Sequence, residues 1–472
     1  MINRRVQTLT ALVVLLTLSH PLTLQAQGAD EVVPRSLRDD IRVEFFMDVA
    51  ERSIRLVQDP VSGQMYYNTL TGDVYRITGQ GQQEKLYTVE DHGIHRLQGM
   101  TFHENDLLLS GNLDDVNDGL GTKGVVMRGT LQPDGERVWS VVAKTVEHGG
   151  AQTTFDHGFN DIIVPPGRDY IVVNSGARTD HGEVQHNNNN YPGQREVPTT
   201  AVLLKLPLDG KDIELTHDEE QVAPYIYVRG VRNIYSLGVS PDGELFGVSN
   251  SGDYDHPEDM FWLREGHHYG YPWIMGGVEN PQQFPDFEPD PQKYLLLPRF
   301  SHALNVGYFH NDPDFPKKPE HLIITPAVQN IGPHADYYRD PETGEVKKAS
   351  MEGKTLGTFS AHRSPLGLVF DRDEVLTEEF RGDGFVIGHT GMNGGMSREF
   401  GGADFGEQEG RDLMHLKLYY SEALDNYIVQ VTRLVDNFES PTDALLIGNE
   451  IYVINHGRSG ASKIWKVILP EE

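Results

Sequence analysis

One local pattern recurs along nearly the whole chain and limits the folds open to it. A polar turn carrying Gly, Asn or Asp leads into a short strand of β-branched, aromatic or aliphatic residues. The copies are Gly63-Gln-Met-Tyr-Tyr-Asn68, Asn105-Asp-Leu-Leu-Leu-Ser110, Gly167-Arg-Asp-Tyr-Ile-Val-Val-Asn174, Gly243-Glu-Leu-Phe-Gly-Val-Ser-Asn250, Gly382-Asp-Gly-Phe-Val-Ile-Gly388 and Gly448-Asn-Glu-Ile-Tyr-Val-Ile-Asn455. Several are followed by a second strand with a basic residue among apolar ones: Val74-Tyr-Arg-Ile77, Val202-Leu-Leu-Lys-Leu206 and Ile464-Trp-Lys-Val467. A turn-strand-loop-strand unit repeated over this length predicts an all-β, six-bladed β-propeller. A β-sandwich also uses short strands, but it does not repeat one module over so long a chain. The wide gap between the fourth and fifth copies leaves the blade count open.

The remaining composition fits. The 49 Gly and 27 Pro suit a loop-rich β protein, and long amphipathic helical windows are nearly absent. A formal net charge of −30 makes the chain repel nucleic acid and anionic lipid, so neither is expected as a partner. Arg4-Arg5 followed by the apolar run Ala11–Leu18, with small residues at Ala26 and Gly28, predicts a signal peptide over 1–26. That run is too short to span a bilayer and none like it follows, so no membrane span is expected in the mature chain. A single propeller domain is expected over 30–472. The absence of cysteine excludes disulfides, thiolate catalysis and Cys-ligated zinc. Together these point to a periplasmic or secreted protein.

A propeller binds ligands at one mouth of its central channel, with a residue or two from each of several blades. Three places beside the copied strands carry chemistry. In Phe155-Asp156-His157-Gly158 a carboxylate adjoins an imidazole, a natural general base, although a histidine there can also be a surface or structural hydrogen-bonding residue, the commoner role for a histidine. Arg232-Asn233 can hold an anion or a polarised carbonyl, or can simply tie loop carbonyls together. The segment Ser251-Gly252-Asp253 to Asp259 is an oxygen-rich loop that can take Ca²⁺ or remain a solvated charge run.

The order of these segments resembles the soluble quinoprotein glucose dehydrogenase and aldose sugar (sorbosone) dehydrogenase family. Phe155 to Arg178 resembles that family's histidine loop, Pro-Gly turn and strand. Arg229 to Gly252 is similar to its Gly-x-Arg-Asn segment, and Tyr269-Gly-Tyr-Pro272 to its Tyr-Gly-Trp-Pro. Leu97–His103, Ala201–Gly210, Ser364–Phe370 and Phe380–Ile387 extend the resemblance. It implies a six-bladed propeller that uses pyrroloquinoline quinone (PQQ) with Ca²⁺ to oxidise a sugar or alcohol and passes electrons to an external acceptor. It implies His157 as general base and Arg232 as the group that polarises the quinone oxygen. Asn233 would line the cofactor, Gln98 and Asp156 would contact substrate, and the Gly252 and Asp253 carbonyls would bind Ca²⁺. The family clamps the quinone carboxylates with late basic residues, for which Arg411 and Lys417 are the nearest candidates. The chain departs from the family where Ile234-Tyr-Ser236 replaces Pro-Gln-Gly and where Phe159-Asn160 replaces a glycine pair. The segments 182–197 and 279–340 have no counterpart. Two other classes fit the fold: a Ca²⁺-dependent propeller lactonase or other hydrolase, and a non-catalytic binding propeller.

Overall fold

Every one of the six copied segments coincides with the second strand of a separate four-stranded or larger sheet, or of a three-stranded one in the fourth case. The computed structural model describes residues 32–471 apart from 117–120, 151–152, 154, 187–189, 191–192, 255, 291–309, 341–342, 344, 355, 391–409 and 458–461. The expected signal peptide at 1–26 lies outside the described residues. Val33–Glu472 forms one compact unit.

The inner strands are Ser53–Gln58 (blade I), Arg96–His103 (II), Phe159–Ile163 (III), Ile234–Val239 (IV), Pro365–Phe370 (V) and Pro441–Ile447 (VI). Each packs on the next and the sixth packs on the first, so the sheets close a ring: a six-bladed β-propeller. Closure mixes the chain ends. The N-terminal strand Arg42–Val49 pairs antiparallel with the C-terminal strand Ser462–Ile468 as the outer edge of blade VI. Arg35–Ser36 pairs with the outer strand of blade V. The gap between the fourth and fifth copies holds two small hairpins, Ile274–Met275 with Val278–Glu279 and Tyr337–Arg339 with Val346–Lys348. Among the described residues it adds no blade.

The copied strands are near-continuous apolar runs because a blade is buried on both faces. In blade III, Ile171 and Val173 face the cluster shared with blade II, while the intervening Val172 faces the cluster shared with blade IV. Six clusters of buried side chains fill the six blade interfaces in this way. Polar side chains of the inner strands stitch the ring. Asp443 accepts the Leu56 N–H at 2.9 Å, Asp161 accepts Leu237 N–H at 2.6 Å, and Ser236 accepts Leu368 N–H at 2.9 Å.

The channel axis is occupied. Arg55 of blade I is buried, donates to the Gln98 carbonyl at 2.7 Å and to the Tyr235 carbonyl, and stacks 4.3 Å from the Tyr235 ring centroid. Asp161 and Asp443 stand 3.8 and 3.7 Å from its guanidinium. One side chain thus touches four other blades, a contact set that no local sequence pattern announces.

Candidate functional site

His157, Arg232 and Arg363 occupy the same place in three consecutive blades. Each lies two residues before the first residue of its inner strand, in blades III, IV and V. Inner strands start, and second strands end, at one end of the channel. The repeated architecture therefore delivers an imidazole and two guanidiniums to one mouth.

The His157 loop is held from both sides. Gly158 has φ 63°, and a Cβ there would meet the Asn112 amide, which instead accepts Phe159 N–H at 2.9 Å and donates to Phe159 O at 3.0 Å. Gln98 donates to the carbonyls of His157 and Phe159 at 3.1 and 3.0 Å, so its amide nitrogen serves the loop itself. Asp156 is paired with Arg96 at 3.3 Å, and burial raises its pKa against that pairing. Gly176 leaves the space that the His157 side chain fills. The imidazole Nδ1 lies 3.0 Å from the Ala177 carbonyl. A carbonyl only accepts, so Nδ1 carries the proton and Nε2 carries the lone pair. Burial, and then the Arg232 charge, lower the His157 pKa to about 3, which keeps the ring neutral at ordinary pH.

Arg232 is buried and heavily engaged. Its Nε donates to Asp180 O at 2.8 Å, its Nη1 to Asn250 O at 3.2 Å and Ser251 O at 2.9 Å, and its Nη2 to the Asp180 carboxylate at 2.7 Å. Asp180 comes from the long connection between the second and third strands of blade III. It also accepts the Asp253 N–H at 3.1 Å and lies 2.8 Å from His181 Nδ1. His181 and Arg232 hold its carboxyl below the usual range despite its burial. Gly252 packs on this connection so closely that a Cβ would stand 2.7 Å from His181 Nε2. The Gly252–Asp253 turn is therefore anchored to Asp180, and the Asn250 and Ser251 carbonyls before it face Arg232.

Beneath Arg232 runs a buried amide relay. Asn160 donates to Asn233 at 2.7 Å, Asn174 to Asn160 at 2.7 Å, and Asn233 to Asn250 at 3.0 Å. Asn174 and Asn250 are the last residues of two copied segments, so the relay joins the mouth ends of blades III and IV. Glu258 lies within the influence of Arg232, Arg363 and His362, and burial pushes its pKa up to about 8.

The late basic residues divide. Lys417 is placed beside Leu416, which pairs with Gly384, the first residue of its second strand; its nearest carboxylate is Asp383 at 4.0 Å. That is the end of the blade away from the mouth, so the structure does not bring Lys417 to His157 and Arg232. Arg411 precedes the strand Leu413–Ser421 at the mouth end. Beside it, Arg363 and Arg433 both converge on buried Asp412, the latter at 2.7 Å. Arg363 was findable: it stands before the fifth inner strand as Arg232 stands before the fourth. Arg55 and Asp180 carry no such signal, because their charged and carbonyl partners come from other blades.

Among the described residues, no three His, Asp or Glu side chains form a metal-ligating group. Any Ca²⁺ here would have to use backbone carbonyls as well.

No family model matches the chain, and no curated protein matches its sequence. Solved structures share its architecture. The soluble aldose sugar dehydrogenase of Escherichia coli in its apo form aligns with TM-score 0.55 at 14% identity, over 90% of this chain and 99% of that one. The holo PQQ domain of pyranose dehydrogenase from Coprinopsis cinerea aligns with TM-score 0.53 at 11% identity, over 93% and 97%. A glucose dehydrogenase aligns with TM-score 0.52 at 12% identity, over 91% and 100%. At these identities the likeness is one of fold: the chain has the propeller architecture of soluble sugar dehydrogenases.

Proposed function

We propose that the protein is a PQQ-dependent dehydrogenase that oxidises a sugar or a related alcohol or hemiacetal and passes the electrons to an external acceptor. The observation that carries this reading is the state of His157. Its ring is neutral, its Nδ1–H is fixed on Ala177 O, and its Nε2 lone pair remains for a substrate hydroxyl, with a guanidinium charge close enough to depress its pKa.

The donor set supports the cofactor's reacting edge. A guanidinium has five N–H groups. Four of those on Arg232 are spent on protein oxygens, which leaves one Nη2–H for an oxygen beside His157. Asn233, held by the amide relay, flanks it. Arg411, at the mouth end of blade V, is the basic group that would face the cofactor's carboxylates, while Arg363 and Arg433 are buried against Asp412. The Gly252 and Asp253 carbonyls would hold Ca²⁺. When bound, the quinone supplies the hydride acceptor. The chain's own contribution is to take the substrate proton at His157 Nε2, to stabilise developing negative charge from Arg232, and to keep the His157 loop in register through Gln98 and the Asp156–Arg96 pair.

Reconstitution tests the reading. Adding PQQ and Ca²⁺ to the purified protein should produce a bound-cofactor absorbance that an oxidisable sugar changes. No bound absorbance, or one that a panel of aldoses and alcohols leaves unaltered, would refute it.

A further inference from the structure

Asp180 engages Arg232 twice, through its own carbonyl oxygen at 2.8 Å and through its carboxylate at 2.7 Å, and both partners are buried. The same carboxylate holds the Asp253 N–H and stands beside His181. Two consequences follow for any ligand at this place. The guanidinium charge is matched by a carboxylate in direct contact. Among the described residues, four of its five N–H groups have acceptors, so one N–H is left to donate. A phosphate, sulfate or carboxylate needs several donors and brings a second negative charge to within a few ångströms of Asp180, where like charges repel strongly out of water. A carbonyl-type oxygen is neutral and is served by one strong donor.

We propose that Asp180 is a positioning residue that makes Arg232 a single-donor site for a neutral carbonyl-type oxygen and closes that site to free oxyanions. The oxygen's identity rests on the dehydrogenase reading above; the discrimination itself does not. Asp180 touches no reacting atom and acts through Arg232. The long connection between the second and third strands of blade III is the source of this selectivity, because it brings Asp180 against Arg232.

The test is direct binding of inorganic phosphate to the full-length protein by calorimetry, with no quinone or sugar present, so that its outcome is independent of whether the protein oxidises sugars. Wild type should show no Arg232-dependent phosphate binding. Asp180→Asn keeps the side-chain shape and removes the charge, and should bind phosphate at least about tenfold more tightly than any residual binding by wild type, the scale of a charge-assisted hydrogen bond. Adding Arg232→Gln to Asp180→Asn should abolish the gain. Asp180→Ser, which leaves room for water, is a second variant if the asparagine form does not fold. A merely structural Asp180 would lose stability on substitution without gaining an anion. The proposal is overturned if the variants bind phosphate no better than wild type, or if the gain survives Arg232→Gln. It is overturned as well if wild type binds phosphate in a way that the single Arg232→Gln substitution removes.

Discussion

Replacing His157 separates chemistry from folding, and the structure sets both magnitudes. In His157→Ala the protein loses one hydrogen bond, the Nδ1–H to Ala177 O at 3.0 Å, while the same carbonyl keeps the backbone N–H of residue 157 at 3.1 Å. The expected stability loss is therefore about 1 kcal/mol. The kinetic loss is larger, because Nε2 is the only atom proposed to take the substrate proton: about 10²–10⁴-fold in turnover, or roughly 3–5 kcal/mol of barrier. His157→Asn sharpens the test, since its amide can keep the donor to Ala177 O while offering no base. It should fold like wild type and lose as much turnover as the alanine variant. The assay is dye-linked oxidation at saturating sugar in protein loaded with PQQ and Ca²⁺, alongside urea unfolding of the same samples. With a pKa of about 3 the wild-type imidazole is already neutral across the assay range, so His157 should impose no acid limb near neutrality. Wild-type turnover in either variant would refute the base assignment, and an acid limb near pH 6.5 abolished by His157→Asn would refute the depressed pKa.

Arg55→Leu should destabilise the propeller by about 3–5 kcal/mol, because it strands Asp161 and Asp443 at the axis; a urea midpoint close to wild type would contradict the hub role. Stability should be roughly level where two opposing sets of buried groups offset each other, between about pH 4 and 6.5, and fall above and below that window. The buried acids Glu258, Asp259 and Asp443, with folded pKa values of about 8, 7 and 7, hold protons that the unfolded chain has released, so their contribution is lost as pH rises through about 4 to 8. The buried His148, His157 and His256, each near 3, refuse protons that the unfolded chain takes up, so stability also falls as pH drops from about 6.5 toward 3. Urea midpoints across this range check both limbs, and Glu258→Gln should flatten the alkaline one. Chelation of Ca²⁺ should weaken PQQ binding if the Gly252 and Asp253 carbonyls hold the ion; titration of PQQ with and without a chelator decides, and equal affinities would remove Ca²⁺ from the site.

The fold was legible because propeller blades leave a periodic trace. Each second strand is buried on two faces and must be apolar throughout, and each is reached by a tight turn, so the copies at Gly63, Asn105, Gly167, Gly243, Gly382 and Gly448 mark one blade apiece. The length of the gap before the fifth copy leaves the count open in the sequence; among the described residues that gap holds small hairpins and no sheet of blade size. His157 and Arg232 stand in the sequence as chemistry beside copied strands. Their common position before an inner strand, shared with Arg363, emerged only when strand starts were known to the residue. Lys417 is a late basic residue in the sequence, but strand direction places it at the other end of its blade.

The sequence by itself determined that this chain would make a ring of small sheets, and which segments would stand nearest its mouth. Those properties depend on short-range periodicity: turns, strand composition and the spacing between them. Tertiary structure decided what the polar groups do, because their partners are far away in the chain. Arg55 becomes the axial hub only when blades II, III, IV and VI surround it. Arg232 becomes a charge-balanced donor with one N–H to spare only because the connection between the second and third strands of blade III brings Asp180 against it. Hydrogen bonds and ion pairs act over a few ångströms, and only the closed ring brings residues so far apart in sequence within that range.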